Sequence, residues 1–287
     1  MSERNDFFDM NAAPMRIGSF RLKVRDLEET SGFYRKVLGL KVMETETGQV
    51  TLGTGSQALL TLEGDPSLAP RDPRQPGLFH SAFLLPSRAA LARWLAHVAE
   101  QRVPLQGASD HNVSEAIYLA DPEGNGIEVY SDTPPSRWRA AEGDIHMTTE
   151  FLDLEQLLAA GDDNPWSGFP EDGRVGHLHL QVGDTAIADR FYRDVLGFEI
   201  TARYPGASFY GSGGYHHQLA GNVWHSRRAQ PQEEESAGLD GFSLVLRDRK
   251  QRDAILARAE EQAIAVDRRR PEAPVLRDPW GIAITFE

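Results

Sequence analysis

Along Ile17-Gly18-Ser19-Phe20-Arg21-Leu22-Lys23-Val24 apolar and polar side chains alternate with a period of two, which predicts a strand with one buried face. The pattern then changes to apolar pairs three to four residues apart, Phe33-Tyr34 and Val37-Leu38, which predicts a helix that Gly39 ends. The same succession returns at an offset of 158 residues: Val175–Val182 repeats the strand, and Asp184, Phe191, Tyr192, Arg193, Val195, Leu196 and Gly197 repeat Asp26, Phe33, Tyr34, Arg35, Val37, Leu38 and Gly39. A weaker repeat relates Leu78–Tyr130 to Leu239–Glu287. Its anchors are Asp121-Pro122-Glu123-Gly124 against Asp278-Pro279-Trp280-Gly281, and Ile127 against Ile284. Each of these copies begins with an apolar strand (Phe79–Leu85; Phe242–Leu246) and continues with a helix (Arg88–Arg102; Arg249–Gln262). Four βαβββ units are therefore expected, at about 16–64, 77–131, 174–222 and 239–287.

A sheet of that size leaves edges that a partner unit must cover, so the units are expected to pair into curved eight-stranded sheets around clefts, an α+β architecture. The length of 287 residues suits two domains, 16–131 and 174–287. The intervening segment 132–173 carries Pro134-Pro135 and a short helical pattern near Leu152–Ala160, and is expected to be a linker with some structure of its own. Hydrophobic residues make up 40% and the net charge is −13, which points to a soluble protein whose field repels nucleic acid and anionic membrane. There is no apolar run long enough to span a bilayer, and Met1–Pro14 reads as a polar tail, so a cytoplasmic location is expected. A closed homo-oligomer is the default expectation for such a protein. Without cysteine, any metal must be held by histidine and carboxylate.

The stretch His111–Tyr130 reads as two short strands joined by a Pro/Gly/Asn-rich turn. In the second strand Ile127 and Val129 share one face, which sends Glu128 and Tyr130 to the other. An acid inside a cleft is costly unless a cation awaits it, and a metal ion meets that need. Taken alone, Glu128 reads as an ordinary exposed strand residue and His80 as a core histidine.

With these units and this stretch, nearly everything from residue 16 to 287 resembles the vicinal-oxygen-chelate superfamily, and within it the extradiol ring-cleaving dioxygenases of the catechol 2,3-dioxygenase type. The resemblance implies metal ligands on the first and last strands of a unit, facing the cleft. The first-strand positions here are Ser19, His80, His177 and Gly241, and the last-strand positions of units two and four are Glu128 and Thr285. Only His80, Glu128 and His177 bind metal well. Two histidines and a carboxylate are the facial set of non-haem Fe(II), which Mn(II) also accepts. His179 shares the strand face of His177 and is the other candidate; its alignment with Arg21 favours the cleft mouth. Because the ligands come from units two and three, those units are expected to share one cleft, leaving units one and four to form an empty one.

The resemblance further implies that Tyr118, ten residues before Glu128, hydrogen-bonds a substrate hydroxylate. It also implies that His111 lies near the substrate and that His217 is an acid–base residue beside the oxygen site. If the stretch holding them is a strand, His216 and His217 point to opposite faces and only one reaches the cleft. His225, His97 and His146 fit no such position and read as structural or exposed. A catechol-type substrate and O2 are the implied partners. Two other functions share this fold: a glyoxalase-like isomerase or thiol transferase, with a fourth protein ligand near His217–Leu219, and a metal-free protein that sequesters aromatic drugs.

Overall fold

The computed structural model describes residues 7–139, 145–162, 164–231 and 235–287. Unit one comprises β1 (Met15–Val24), α1 (Leu27–Phe33), β2 (Lys41–Glu46), β3 (Gln49–Gly53) and β4 (Ala58–Gly64). Unit two comprises β5 (Gly77–Leu84), α2 (Arg88–Glu100), β6 (Gly107–Asp110), β7 (Ser114–Ala120) and β8 (Gly126–Asp132). After the short α3 (Leu154–Leu158), unit three runs β9 (Arg174–Gln181), α4 (Thr185–Asp189), β10 (Glu199–Tyr204), β11 (Ala207–Gly211) and β12 (Leu219–Asn222). Unit four runs β13 (Gly238–Leu246), α5 (Arg249–Glu261), β14 (Val266–Asp267), β15 (Val275–Arg277) and β16 (Ala283–Phe286).

Each unit's helix starts at a side-chain cap. Asp26, Ser87, Asp184 and Asp248 accept from backbone N–H groups of the first turn, satisfying donors that have no partner inside the helix. α1 and α4 then widen into π turns over Tyr34–Leu38 and Arg190–Val195. Gly39 closes the first of these at φ 75°, and a Cβ there would lie 2.6 Å from the Cα of Gly168, so only glycine fits.

The strands form two eight-stranded sheets, in the orders β14-β15-β16-β13-β1-β4-β3-β2 and β10-β11-β12-β9-β5-β8-β7-β6. Units one and four thus make one sheet, and units two and three the other. At the middle of each, two first strands meet antiparallel, β1 with β13 and β5 with β9, so each unit covers its partner's open edge. Within every unit the first strand also pairs parallel with the last.

Alternation decides what each face holds. Ile17, Phe20, Leu22 and Val24 of β1, Leu78 and Phe83 of β5, Ile127 and Val129 of β8 and Leu178 and Leu180 of β9 enter one continuous apolar core with the helices. The opposite faces line the clefts. Two matching contacts tie the sheets together: Tyr34 donates to Asp121 at 3.2 Å and Tyr192 to Asp278 at 2.7 Å, each from a helix of one sheet to a turn of the other. Burial raises both carboxyls, Asp278 to about 6.

The N-terminal segment departs from the expected polar tail. Residues 1–6 lie outside the described residues, but Met10 and Ala13 are buried and Phe8 packs on Trp138 and Tyr215. Tyr130 of β8, packed with Ala82 and Ala116, is wholly buried and meets this small cluster through the Tyr215 hydroxyl. In the linker, residues 140–144 and 163 lie outside the described residues, and the helix is confined to Leu154–Leu158. No helix among the described residues is long and apolar enough to cross a membrane.

Candidate active site

The concave face of the sheet of units two and three carries His80 on β5, Glu128 on β8 and His177 on β9. Their proximity follows from register: Ala82 is paired with His177 on one side and with Glu128 on the other, while His80 sits two residues earlier on the same face. His80 Nε2 lies 3.0 Å from Glu128 Oε2, His177 Nε2 lies 3.4 Å from that oxygen, and the two Nε2 atoms are 3.3 Å apart. All three residues are buried. One ligand atom from each falls within 4.8 Å of the others, and this is the one such group found among the described residues.

Burial pushes the Glu128 carboxyl up, but the charge and hydrogen bonds of His177, with His80 behind it, more than reverse this and hold it well below the usual range. Burial also lowers the His177 imidazole, which favours its neutral form, with Glu128 opposing. The ion-pair partners of Glu128 among the described residues are these two imidazoles and no guanidinium or ammonium group. An ionised, buried carboxylate facing two imidazole nitrogens therefore fits a divalent cation. His177 Nδ1 is itself buried without a hydrogen bond among the described residues, so nothing ties its ring away from that point.

His179 faces the same cleft but is otherwise engaged. The Asn222 Oδ1 accepts from the Trp224 backbone N–H at 3.1 Å, which turns its amide Nδ2 toward His179 Nε2 at 3.0 Å. Nε2 is then an acceptor, and burial, with His80 and His177 adding to it, holds this ring neutral.

Tyr118 and His111 form a fixed pair beside the triad. His111 Nδ1 donates to the Thr148 carbonyl at 2.6 Å, leaving Nε2 to accept the Tyr118 hydroxyl at 2.6 Å. Burial, then the charge of Glu128, raises the Tyr118 phenol well above its ordinary value and keeps it protonated. The loop holding His216 and His217 is not a strand. It is a bend between β11 and β12, in which the two rings meet at Nδ1···Nδ1 2.8 Å rather than pointing apart. Of the two, only His217 lines the cleft, with its ring centroid 4.2 Å from that of His177. Burial, reinforced by His177 and His216, lowers its imidazole well below the usual value.

The cleft encloses about 540 Å³, the size of a small-molecule site. Phe79 and Trp224 meet edge to face at 5.3 Å, and Phe209 also lines the cleft, giving it aromatic walls suited to a planar ring. Sequence reasoning missed Arg71, Thr148 and Trp224, which come from connections with no periodicity, and Phe79 and Phe209, which lie on β5 and β11 but carry no signal of a cleft wall. His225, exposed as expected, also borders the opening. The place where a fourth ligand would stand is decided by register. Glu128 pairs with the residue two beyond His80, and the residue two beyond His177, His179, pairs with Ala220. A methyl group occupies that position, so the triad has no fourth protein donor there.

The profile of the Glyoxalase/Bleomycin resistance protein/Dioxygenase superfamily matches residues 16–129 and 174–286. A catechol-2,3-dioxygenase of Bacillus subtilis (strain 168) is 39% identical over 275 residues, 94% of this chain and 96% of that protein. A biphenyl-2,3-diol 1,2-dioxygenase 3 of Rhodococcus globerulus is 31% identical over 124 residues, 41% of this chain and 63% of that one. Among solved structures, a putative dioxygenase from Bacillus subtilis has a TM-score of 0.63 at 14% identity, covering 94% of this chain and 84% of its own. Glyoxalase I from Zea mays has 0.57 at 13%, covering 96% and 93%; both likenesses concern the fold alone. With its two matched segments spanning four units and a near full-length relative at 39% identity, the chain belongs to the Glyoxalase/Bleomycin resistance protein/Dioxygenase superfamily.

Proposed function

We propose that this protein is an extradiol ring-cleaving dioxygenase that opens a catechol-type ring with O2. The observation that carries the reading is the convergence of His80, Glu128 and His177 in a cleft with aromatic walls, in a chain 39% identical to a catechol-2,3-dioxygenase. These three residues would hold Fe(II), and three protein ligands leave coordination positions for both substrates. Bound there, Fe(II) would supply the redox chemistry that couples a catechol to O2.

The chain's own groups do the rest. Tyr118, protonated, has one hydroxyl hydrogen, which rests on His111 Nε2 and would turn from it to a substrate oxygen near Glu128. His217, neutral and facing the cleft, takes a proton from the catechol and returns one on the oxygen side. Phe79, Phe209 and Trp224 hold the ring's plane and exclude water. Ala220 at the fourth-ligand position argues against the four-ligand isomerase arrangement.

The test is protein purified without oxygen, assayed for iron and for oxygen uptake on catechol with appearance of the 2-hydroxymuconic-semialdehyde-type product. Stoichiometric iron with catechol-dependent uptake supports the reading. Iron-free protein that reconstitution does not activate, or iron-loaded protein inert to catechols, defeats it.

A further inference from the structure

We propose that Asp132 and His216 are positioning residues that hold His217 in the tautomer with a bare Nε2 turned to the cavity. What this nitrogen then acts on rests on the dioxygenase reading; the tautomer itself does not. Asp132 Oδ1, at the end of β8, lies 2.9 Å from His216 Nε2 and 3.1 Å from the Tyr215 hydroxyl. A carboxylate only accepts, so His216 carries its proton on Nε2. Tyr215 donates to the carboxylate and in turn accepts from the Tyr130 hydroxyl at 2.8 Å, so no donor is left over.

With that one proton on Nε2, His216 presents a bare Nδ1. His217 Nδ1 stands 2.8 Å from it, and a single proton must lie between them, which His217 supplies. With its proton committed to the buried side, His217 keeps a lone pair on Nε2. His216 has no freedom to turn and break this chain. It is wholly buried, with the rings of Tyr215 and Trp138 at 4.0 and 5.0 Å. A carboxylate that fixes an imidazole tautomer at one remove is as consequential as one in direct contact, since the wrong tautomer presents N–H where a base is needed.

The test uses metal-free full-length protein labelled with 15N-histidine, in which long-range 1H–15N correlation separates protonated from bare ring nitrogens, with His217→Phe giving the assignment. Wild type should show His217 Nδ1 protonated and Nε2 bare. In Asp132→Asn the amide can donate to His216 Nε2, which reverses the chain and shifts His217 toward Nε2–H. His216→Phe removes the acceptor and leaves a mixture, whereas His216→Gln, whose amide oxygen accepts from Nδ1–H, restores the wild-type signature. In iron-loaded enzyme, His216→Phe should lose about 10–100-fold in kcat with KM for catechol changed less than about threefold, and His216→Gln should recover most of it. A protonated Nε2 in wild type overturns the proposal, as does equal loss of kcat in the Phe and Gln variants. If no form turns over catechol, the dioxygenase reading fails while the nitrogen signals still decide the tautomer.

Discussion

The cleft of β5, β8 and β9 and the cleft of β1, β13 and β16 share one scheme of register. Ala82 pairs with Glu128 in the first, and Ser243 with Thr285 in the second; His80 faces His179 as Gly241 faces Arg21. What differs is how charge is balanced. In the first cleft the ion-pair partners of the Glu128 carboxylate among the described residues are two imidazoles. In the second, Asp240 is met by Arg21 at 2.5 Å and by Lys23 at 3.2 Å, Arg21 also reaches Glu63, and Ser19 and Ser243 hydrogen-bond each other. Burial pushes Asp240 up and Arg21 and Lys23 more than offset it. One scaffold thus produces a site that calls for a cation and another that carries its own, and the difference comes from a few side chains on equivalent strands.

The largest contrast is in metal. His80→Ala, Glu128→Ala and His177→Ala should each lose bound iron and ring cleavage while staying folded, whereas Ser19→Ala and Thr285→Ala should keep both. Iron content and circular dichroism decide, and iron retained by any of the first three removes that residue from the triad. Chelation should lower Tm in wild type but leave the triad variants where they are, because only a bound ligand adds stability to the folded state.

Next come the residues around the triad. His217→Phe should keep iron and lose about 10²–10⁴-fold in kcat. Tyr118→Phe should lose less, in line with about 1.5–3 kcal/mol for a hydrogen bond to an ionised oxygen. If His217→Phe loses its iron, the residue is a ligand, and the isomerase reading gains.

A third comparison uses the turn carboxyls. Asp278 is raised from the usual 3.8 to about 6, so the folded chain binds its proton more tightly than the unfolded chain does. The stability this contributes is complete below the unfolded value and is lost as pH rises through about 6. Asp278→Asn should flatten the stability curve over that interval, by up to about 3 kcal/mol, in urea titrations at successive pH values. Asp121→Asn, at the equivalent turn, should act in the same direction. A variant whose curve runs parallel to wild type would refute the assignment.

The smallest effect tests whether the second cleft can be converted. A Cβ at Gly241 would lie 2.6 Å from the Ala283 carbonyl oxygen, so Gly241→His should cost about 1–3 kcal/mol in urea unfolding. Added to Ser19→His and Thr285→Glu, it should still leave the metal stoichiometry of wild type. A second bound metal would show that the strand spacing yields more easily than the contact implies.

Much of this was legible in the sequence because strand alternation and a fixed repeat offset are properties of the chain itself. They located the four units and their equivalent strand positions, while the choice of His80, Glu128 and His177 as ligands, and with it the pairing of units two and three, came from the resemblance to the vicinal-oxygen-chelate superfamily. The contact between His216 and His217 was not legible, since it depends on a bend that spacing does not encode. Nor was the anchoring of His111 by the Thr148 carbonyl, which reaches the cleft from 37 residues away through an aperiodic connection. The burial of Tyr130 was not legible either, since its hydroxyl meets that of Tyr215 from 85 residues away, a tertiary contact with no local signal.

The crossing of chain halves between sheets sets a timetable for synthesis. Unit two cannot complete its sheet until unit three has emerged, and unit one waits for unit four across roughly 220 residues, or roughly 10–45 s at ordinary rates of translation. Until β13 and β9 respectively emerge, β1 and β5 present unpaired edges on the nascent chain, which makes the first half a client for chaperones and for misplaced pairing with its own kind. His177 lies beyond the linker, so the group of three residues that could hold a metal is incomplete in the first half. A metal held by all three residues would therefore be loaded late, on a finished molecule.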